Sequence, residues 1–230
     1  MDDWDAYTLS VHEQLTSTGF VHVCNWAGHF DPESFIKYEG VLFAAEDEKP
    51  IQKFLEENPW MLIQQMGGSC RWIRPQVRLG DAYVPDFLVA RLDSYRLNWT
   101  LVELESPRAP LFMASEKNAN RPAEKLREGL DQIAEWRRWL RANTDYAQRP
   151  RGAGKEGLGL VEIGDWANGL VIIGRRSEMT MAQRRTRDQL VFENKTNIHT
   201  YDWLADEGRR VRGQVKEFGD GTCEECSMFL

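Results

Sequence analysis

Apolar and polar positions along the chain change period several times, and each change marks an element. Residues 6–15 carry a helical pattern, and Gly19-Phe20-Val21-His22-Val23-Cys24 has strand composition. From Glu48, the apolar residues Ile51, Phe54 and Leu55 recur at helical spacing until Asn58-Pro59, where the residue before proline leaves the α region. Two runs rich in β-formers follow, over residues 82–89 and 99–105, with turn chemistry between them at Asp93-Ser94-Tyr95-Arg96-Leu97-Asn98. Residues 121–142 predict a long helix whose face is traced by Leu126, Leu130, Ile133, Arg137 and Leu140. The stretch 169–176 reads as a buried strand, and an arginine-rich helix and Ile198-His199-Thr200-Tyr201-Asp202-Trp203-Leu204 come after it. Residues 106–120 are loop-like, 143–165 form a long polar connection, and 202–217 read as a terminal helix. The pattern divides the chain into an N-terminal extension (1–42), one α/β domain (43–217) and a flexible tail (218–230).

The two central strands carry acids where apolar residues are expected. Pro85-Asp86-Phe87 lies in the first and Val102-Glu103-Leu104-Glu105 in the second. A hairpin would bring Asp86 and Glu103 together at one end of a sheet. Carboxylates in apolar strands are costly to bury alone, and a hard divalent cation is the partner their oxygens suit. Without such chemistry, Asp86 would cap a turn and Glu103 would be a paired or rim-exposed strand acid.

Pro85-Asp86 followed by Glu103-x-Glu105 is similar to the PD-(D/E)xK nuclease motif, with glutamate where that superfamily usually has lysine. Gln132 and Trp136, one turn apart on the long helix, look like the QxxxY motif of RecB-like members with tryptophan for tyrosine. The whole order resembles the nuclease domain of the Shedu anti-phage family over residues 43–204: a helix with Glu48, the acidic strand pair, the QxxxW helix, a strand ending Ile173-Gly174-Arg175, an arginine-rich helix, then Thr200-Tyr201-Asp202. The resemblance implies a restriction-endonuclease-like α/β core, a central mixed sheet flanked by helices. It also implies DNA phosphodiester hydrolysis dependent on Mg²⁺ or Mn²⁺, a role in defence, and a homo-oligomer. Asp86, Glu103 and Glu48 would bind metal, with the Leu104 carbonyl as an extra ligand. Glu48, Asp86, Glu103, Glu105 and Gln132 would form the catalytic set. Glu105 would accept a proton from water or hold a second metal, and Lys117 or Lys125 would restore the missing positive charge. Gln52 would support Glu48, whereas Trp136, Tyr201 and Trp203 read as packing. Loss of the motif lysine leaves a second outcome open, a DNA-binding or sensor module that no longer cuts.

Composition adds limits. The 230 residues are 42% hydrophobic and 28% charged, the values of a globular protein. No apolar run approaches the ~20 residues of a membrane span, and the acidic start Met1-Asp2-Asp3 is no signal peptide; a cytoplasmic location without membrane contact is expected. The net charge of −7 argues against indiscriminate coating of nucleic acid. Residues 121–230 nevertheless hold 19 Lys+Arg against 18 Asp+Glu, with arginine clusters at 137–141, 175–176, 184–187 and 209–212. Any one such cluster is first a solvated, locally paired face; together they could meet DNA phosphates. Cys24, Cys70, Cys223 and Cys226 lack the second compact pair that zinc would need, so they read as free thiols.

Overall fold

A computed structural model describes residues 3–23, 32–63, 66, 70–93, 96–114, 116–150, 156–176 and 179–206. In chain order the elements are α1 (Asp3–Ser17), β1 (Val21–His22), α2 (Pro32–Ala44), α3 (Lys49–Glu57), α4 (Trp60–Ile63), β2 (Arg71–Pro75), β3 (Phe87–Leu92) and β4 (Leu97–Leu104). They continue with α5 (Glu124–Ala142), α6 (Thr144–Gln148), β5 (Asn168–Ile172), α7 (Met181–Asn194) and β6 (Thr196–His199). The six strands pair in sequence order. β1 to β4 form an antiparallel meander, and β4, β5 and β6 run parallel. The chain is therefore α/β, with a mixed sheet between two helical layers.

Both sheet faces are covered, which is why the central strands read as near-continuous apolar runs. On one face, Leu88, Leu101 and Val171 pack with Val11 and Leu15 of α1 and with Leu126, Ile133 and Leu140 of α5. On the other, Phe87, Val102 and Ile172 pack with Tyr38 of α2, Ile51 and Leu55 of α3, and Leu62 of α4. The stretch set apart as an N-terminal extension thus supplies β1 to the sheet and Leu15 and Tyr38 to its two cores.

The hairpin joining β3 and β4 is closed by Asp93. Its backbone N–H donates to the Arg96 carbonyl at 3.1 Å, and its carboxylate accepts from Arg96 N at 3.2 Å and from Asn98 Nδ2 at 2.5 Å. The helix expected from Glu48 spans Lys49–Glu57 and stops at Asn58, whose side chain donates to the Phe54 carbonyl. The first acidic strand begins at Phe87, five residues later than its composition suggests. Leu79 and Tyr83 instead pair across a tight turn at Gly80, which has φ +67° and lies under the indole of Trp139. Within the polar connection 143–165 the short helix α6 forms, and Leu160 and Ile163 are fully buried. The Arg137 side chain, placed by periodicity on the apolar face of its helix, spans to three carbonyls, those of Ala167, Asn194 and Lys195, at 2.8, 2.6 and 2.7 Å. It thereby fastens α5 to the start of β5 and the end of α7. The predicted terminal helix is seen as residues 202–206; its remainder, the tail, Cys24, Cys223, Cys226 and the 209–212 arginines lie outside the described residues. No helix among the described residues is long and apolar enough to cross a membrane.

Candidate active site

The β3–β4 register decides where the acids meet. Phe87 is opposite Val102, so the next pair outward is Asp86 with Glu103, and directly opposed residues share a face of the sheet. Asp86 sits one residue before β3 and accepts a hydrogen bond from the Leu104 backbone N–H at 2.7 Å. Glu103 is 8% exposed and Glu105 5% exposed. Both project toward α5, because Glu103 alternates with the core residues Leu101 and Trp99 on that face. Helix α5 can approach closely because residue 129 is glycine: a β-carbon there would come within 3.2 Å of Val171 Cγ1 and 3.4 Å of Glu105 Cγ.

Two side chains of α5 then address the acids. Gln132, its amide nitrogen turned toward β4, donates to Glu103 Oε1 at 2.5 Å and to Oε2 at 3.2 Å; the opposite orientation would set oxygen against oxygen. Lys125 Nζ lies 3.7 Å from Glu105 Oε2 and 2.7 Å from Glu128 Oε2. Of the two lysines that could have replaced the missing charge, Lys125 pairs with Glu105, whereas Lys117 is exposed in a 3₁₀ turn at Glu116–Asn118. Trp136 is buried in the core, in line with packing rather than chemistry.

Glu48 forms the N-cap of α3 without a capping bond from its side chain. Its charge is among those raising the proton affinity of Asp86, Glu103 and Glu105. Gln52, one turn further along, is buried, and its Nε2 has no partner among the described residues. Tyr201 closes the floor: its hydroxyl donates to the Glu105 carbonyl at 2.8 Å, and the Tyr38 hydroxyl donates to the Tyr201 carbonyl at 2.9 Å. Sequence reading took Tyr201 for sheet packing and gave Gly129 no role. A glycine inside a long helical pattern was the available signal for the second; nothing along the chain announces the first.

Electrostatically the site holds more negative charge than it can stabilise. Burial pushes Glu103 well above the usual carboxylate range, and Asp86, Glu105 and Glu48 push it further while Lys125 opposes them. Asp86 is raised mainly by burial, against the Leu104 N–H bond that favours its ionised form. Glu105 is pushed up to about 7, chiefly by burial, with Lys125 holding it down.

Among the described residues no group of three or more His, Cys, Asp or Glu side chains is placed to hold a metal ion. Mg²⁺ does not require one, since it keeps most of its waters and is held through one or two carboxylates. Opposed oxygen ligands whose charge is poorly neutralised suit such an ion.

The arginine clusters are largely committed to local partners. Arg175 is paired with Asp202, Arg176 with Asp206 and Arg141 with Asp165. That is the solvated, paired arrangement expected of any single cluster.

A family model described as Shedu protein SduA, C-terminal, matches residues 45–205, more than half of the chain. The match contains every acid of the site, Gln132, Lys125 and Tyr201. A comparison with curated proteins finds no match.

Proposed function

The chain belongs to the family described as Shedu protein SduA, C-terminal, a membership that points to anti-phage defence, and from it we propose a metal-dependent deoxyribonuclease with a restriction-endonuclease-like core. The observation that carries this reading is the opposition of Asp86 and Glu103 at the end of the two central strands, with Lys125 beside Glu105. A cation–carboxylate pair replaces the motif lysine, so the positive charge reaches the site from α5 instead of from β4. This favours an active enzyme over the non-cutting module.

In this reading Asp86 and Glu103 would hold Mg²⁺ or Mn²⁺, and Glu48 adds negative charge beside them. The ion, when bound, acts as a Lewis acid on the phosphate and lowers the pKa of water. Glu105, half-neutralised near pH 7, takes the proton from the attacking water, which suits a general base. The water oxygen forms the new bond to phosphorus as the bond to the leaving sugar oxygen breaks. Lys125 lowers the proton affinity of Glu105 and offsets charge gathering on the phosphate. Gln132 fixes the rotamer of Glu103. The exposed apolar side chains Ile36 and Phe43 on α2 are 70% and 79% exposed, and support assembly as a homo-oligomer; the proposed location is the cytoplasm.

The test is cleavage of supercoiled and linear DNA by purified protein. Product is expected with Mg²⁺ or Mn²⁺ and none in EDTA. Lys125→Met should slow cutting by about 10–100-fold, the scale of losing a group that orients and charges a catalytic residue. Wild-type protein inert on every DNA form with either metal would remove the nuclease reading. Cutting unchanged in Lys125→Met would remove the role of Lys125.

A further inference from the structure

A second concave feature lies at the far edge of the sheet, on β6. In the parallel half, Glu103 is in register with Val171, and Val171 with Ile198. Such neighbours share a face, so the row Glu103, Val171, Ile198 crosses three strands, about 10 Å at the usual strand spacing. Ile198 lines a cavity of about 180 Å³ at the carboxyl end of β6, together with Arg176, Arg187, His199, Thr200 and Trp203. No carboxylate is among its described lining residues. Its rings are set in place, His199 lying parallel to Trp203 at a centroid separation of 3.9 Å.

Arg187 is the informative member. Its Nε is buried and has no hydrogen-bond partner among the described residues, and its ion pair is a loose one, 3.7 Å to the adjacent Asp188. A buried guanidinium N–H without an acceptor is unfavourable. The guanidinium fork matches phosphate oxygens. Arg176 uses one nitrogen for Asp206, Thr200 carries a hydroxyl, and carboxyl ends of parallel strands are where open α/β sheets take ligands.

We propose that this cavity is a binding site for a phosphate group, held by Arg187 and Arg176 with Thr200 as a further hydrogen-bond donor. The phosphate belongs either to a nucleic-acid backbone running past the acids or to a free nucleotide. Neither source requires that the protein cut DNA, so the site stands or falls separately from the nuclease reading.

The experiment is calorimetric titration of the full chain in EDTA at fixed ionic strength with orthophosphate, AMP and a short oligodeoxynucleotide. The variants are Arg187→Gln and Arg185→Gln, the latter an exposed arginine of α7 outside the cavity. No residue of α7 is buried, so both variants should fold, and equal melting temperatures would verify it. Saturable phosphate binding by wild type, weakened about tenfold or more in Arg187→Gln and retained in Arg185→Gln, is expected from loss of a charge-assisted pair of hydrogen bonds. Displacement of phosphate by the oligonucleotide assigns the site to nucleic acid. Tighter AMP binding that the oligonucleotide does not displace assigns it to a free nucleotide. Absence of saturable binding of all three ligands, or equal binding by wild type and Arg187→Gln, overturns the proposal.

Discussion

Asp86→Ala should reduce metal-dependent DNA cleavage by at least ~10³-fold, beyond what loss of a single preorganised dipole usually does. The carboxylate has two tasks that alanine cannot share. It is one of the two opposed acids proposed to hold the metal, and its Oδ2 accepts from Leu104 N at 2.7 Å, fixing the backbone between Glu103 and Glu105. The same substitution should not unfold the protein. Removing one acid relieves Glu103 of the strongest of its charged repulsions, which offsets the lost hydrogen bond, a net of about 1 kcal/mol or less. The measurement is DNA cleavage beside thermal unfolding in EDTA at pH 8. A variant that melts near wild type and still cuts at a wild-type rate would exclude Asp86 from the chemistry.

Stability in EDTA should fall as pH rises from about 5 to 8, opposite to the trend for carboxylates held in salt bridges. The acids at the end of β3 and β4 have folded-state pKa values above their unfolded ones, Glu105 near 7 with Asp86 and Glu103 raised in the same direction. Between about 4.5 and these folded values the native state binds more protons than the unfolded chain, and stability then declines with pH. For Glu105 alone, at ~1.4 kcal/mol per pKa unit and reduced for solvent screening, the decline is on the order of 2 kcal/mol. With its two neighbours the melting temperature should drop by roughly 5–10 °C. Mg²⁺ at pH 8 should recover most of the loss by binding only the folded, ionised site. A melting temperature in EDTA that is flat or rising across this range would show that these acids are not crowded as described. A metal without effect at pH 8 would show that they do not bind it.

Much of this arrangement was legible along the chain because it is local. Asp93 and Asn98 closed the hairpin as turn residues do, and the hairpin then opposed Asp86 to Glu103. The 3.6-residue period placed α3 and α5, and Asn58-Pro59 ended the first of them. What was not legible depends on contacts distant in sequence. Strand β2 mixes Arg71 and Arg74 with Trp72 and Ile73, and only the folded state shows that Arg71 is buried while donating to the carbonyls of Ile63 and Met66. Pro85 shortened β3 because a residue without an N–H cannot extend the ladder there. Nothing in the spacing distinguished Lys125 from Lys117; the approach of α5 over Gly129 did. Arg137 looked like one member of a basic cluster and is a clamp on three carbonyls.

The split of the sheet into an antiparallel meander and a parallel half also sets an order of assembly. Partners in β3 and β4 are 5 to 15 residues apart along the chain, whereas β4 must wait more than sixty residues for β5. Short loops close sooner than long ones, so the two opposed acids come together while α5, Lys125, Gln132 and Tyr201 are still missing, as pulsed hydrogen exchange during refolding would register. A chain still emerging from the ribosome therefore opposes Asp86 to Glu103 before Lys125 can reach Glu105. The site proposed here is thus complete only once β5 and β6 have joined the sheet and Tyr201 has closed against Glu105.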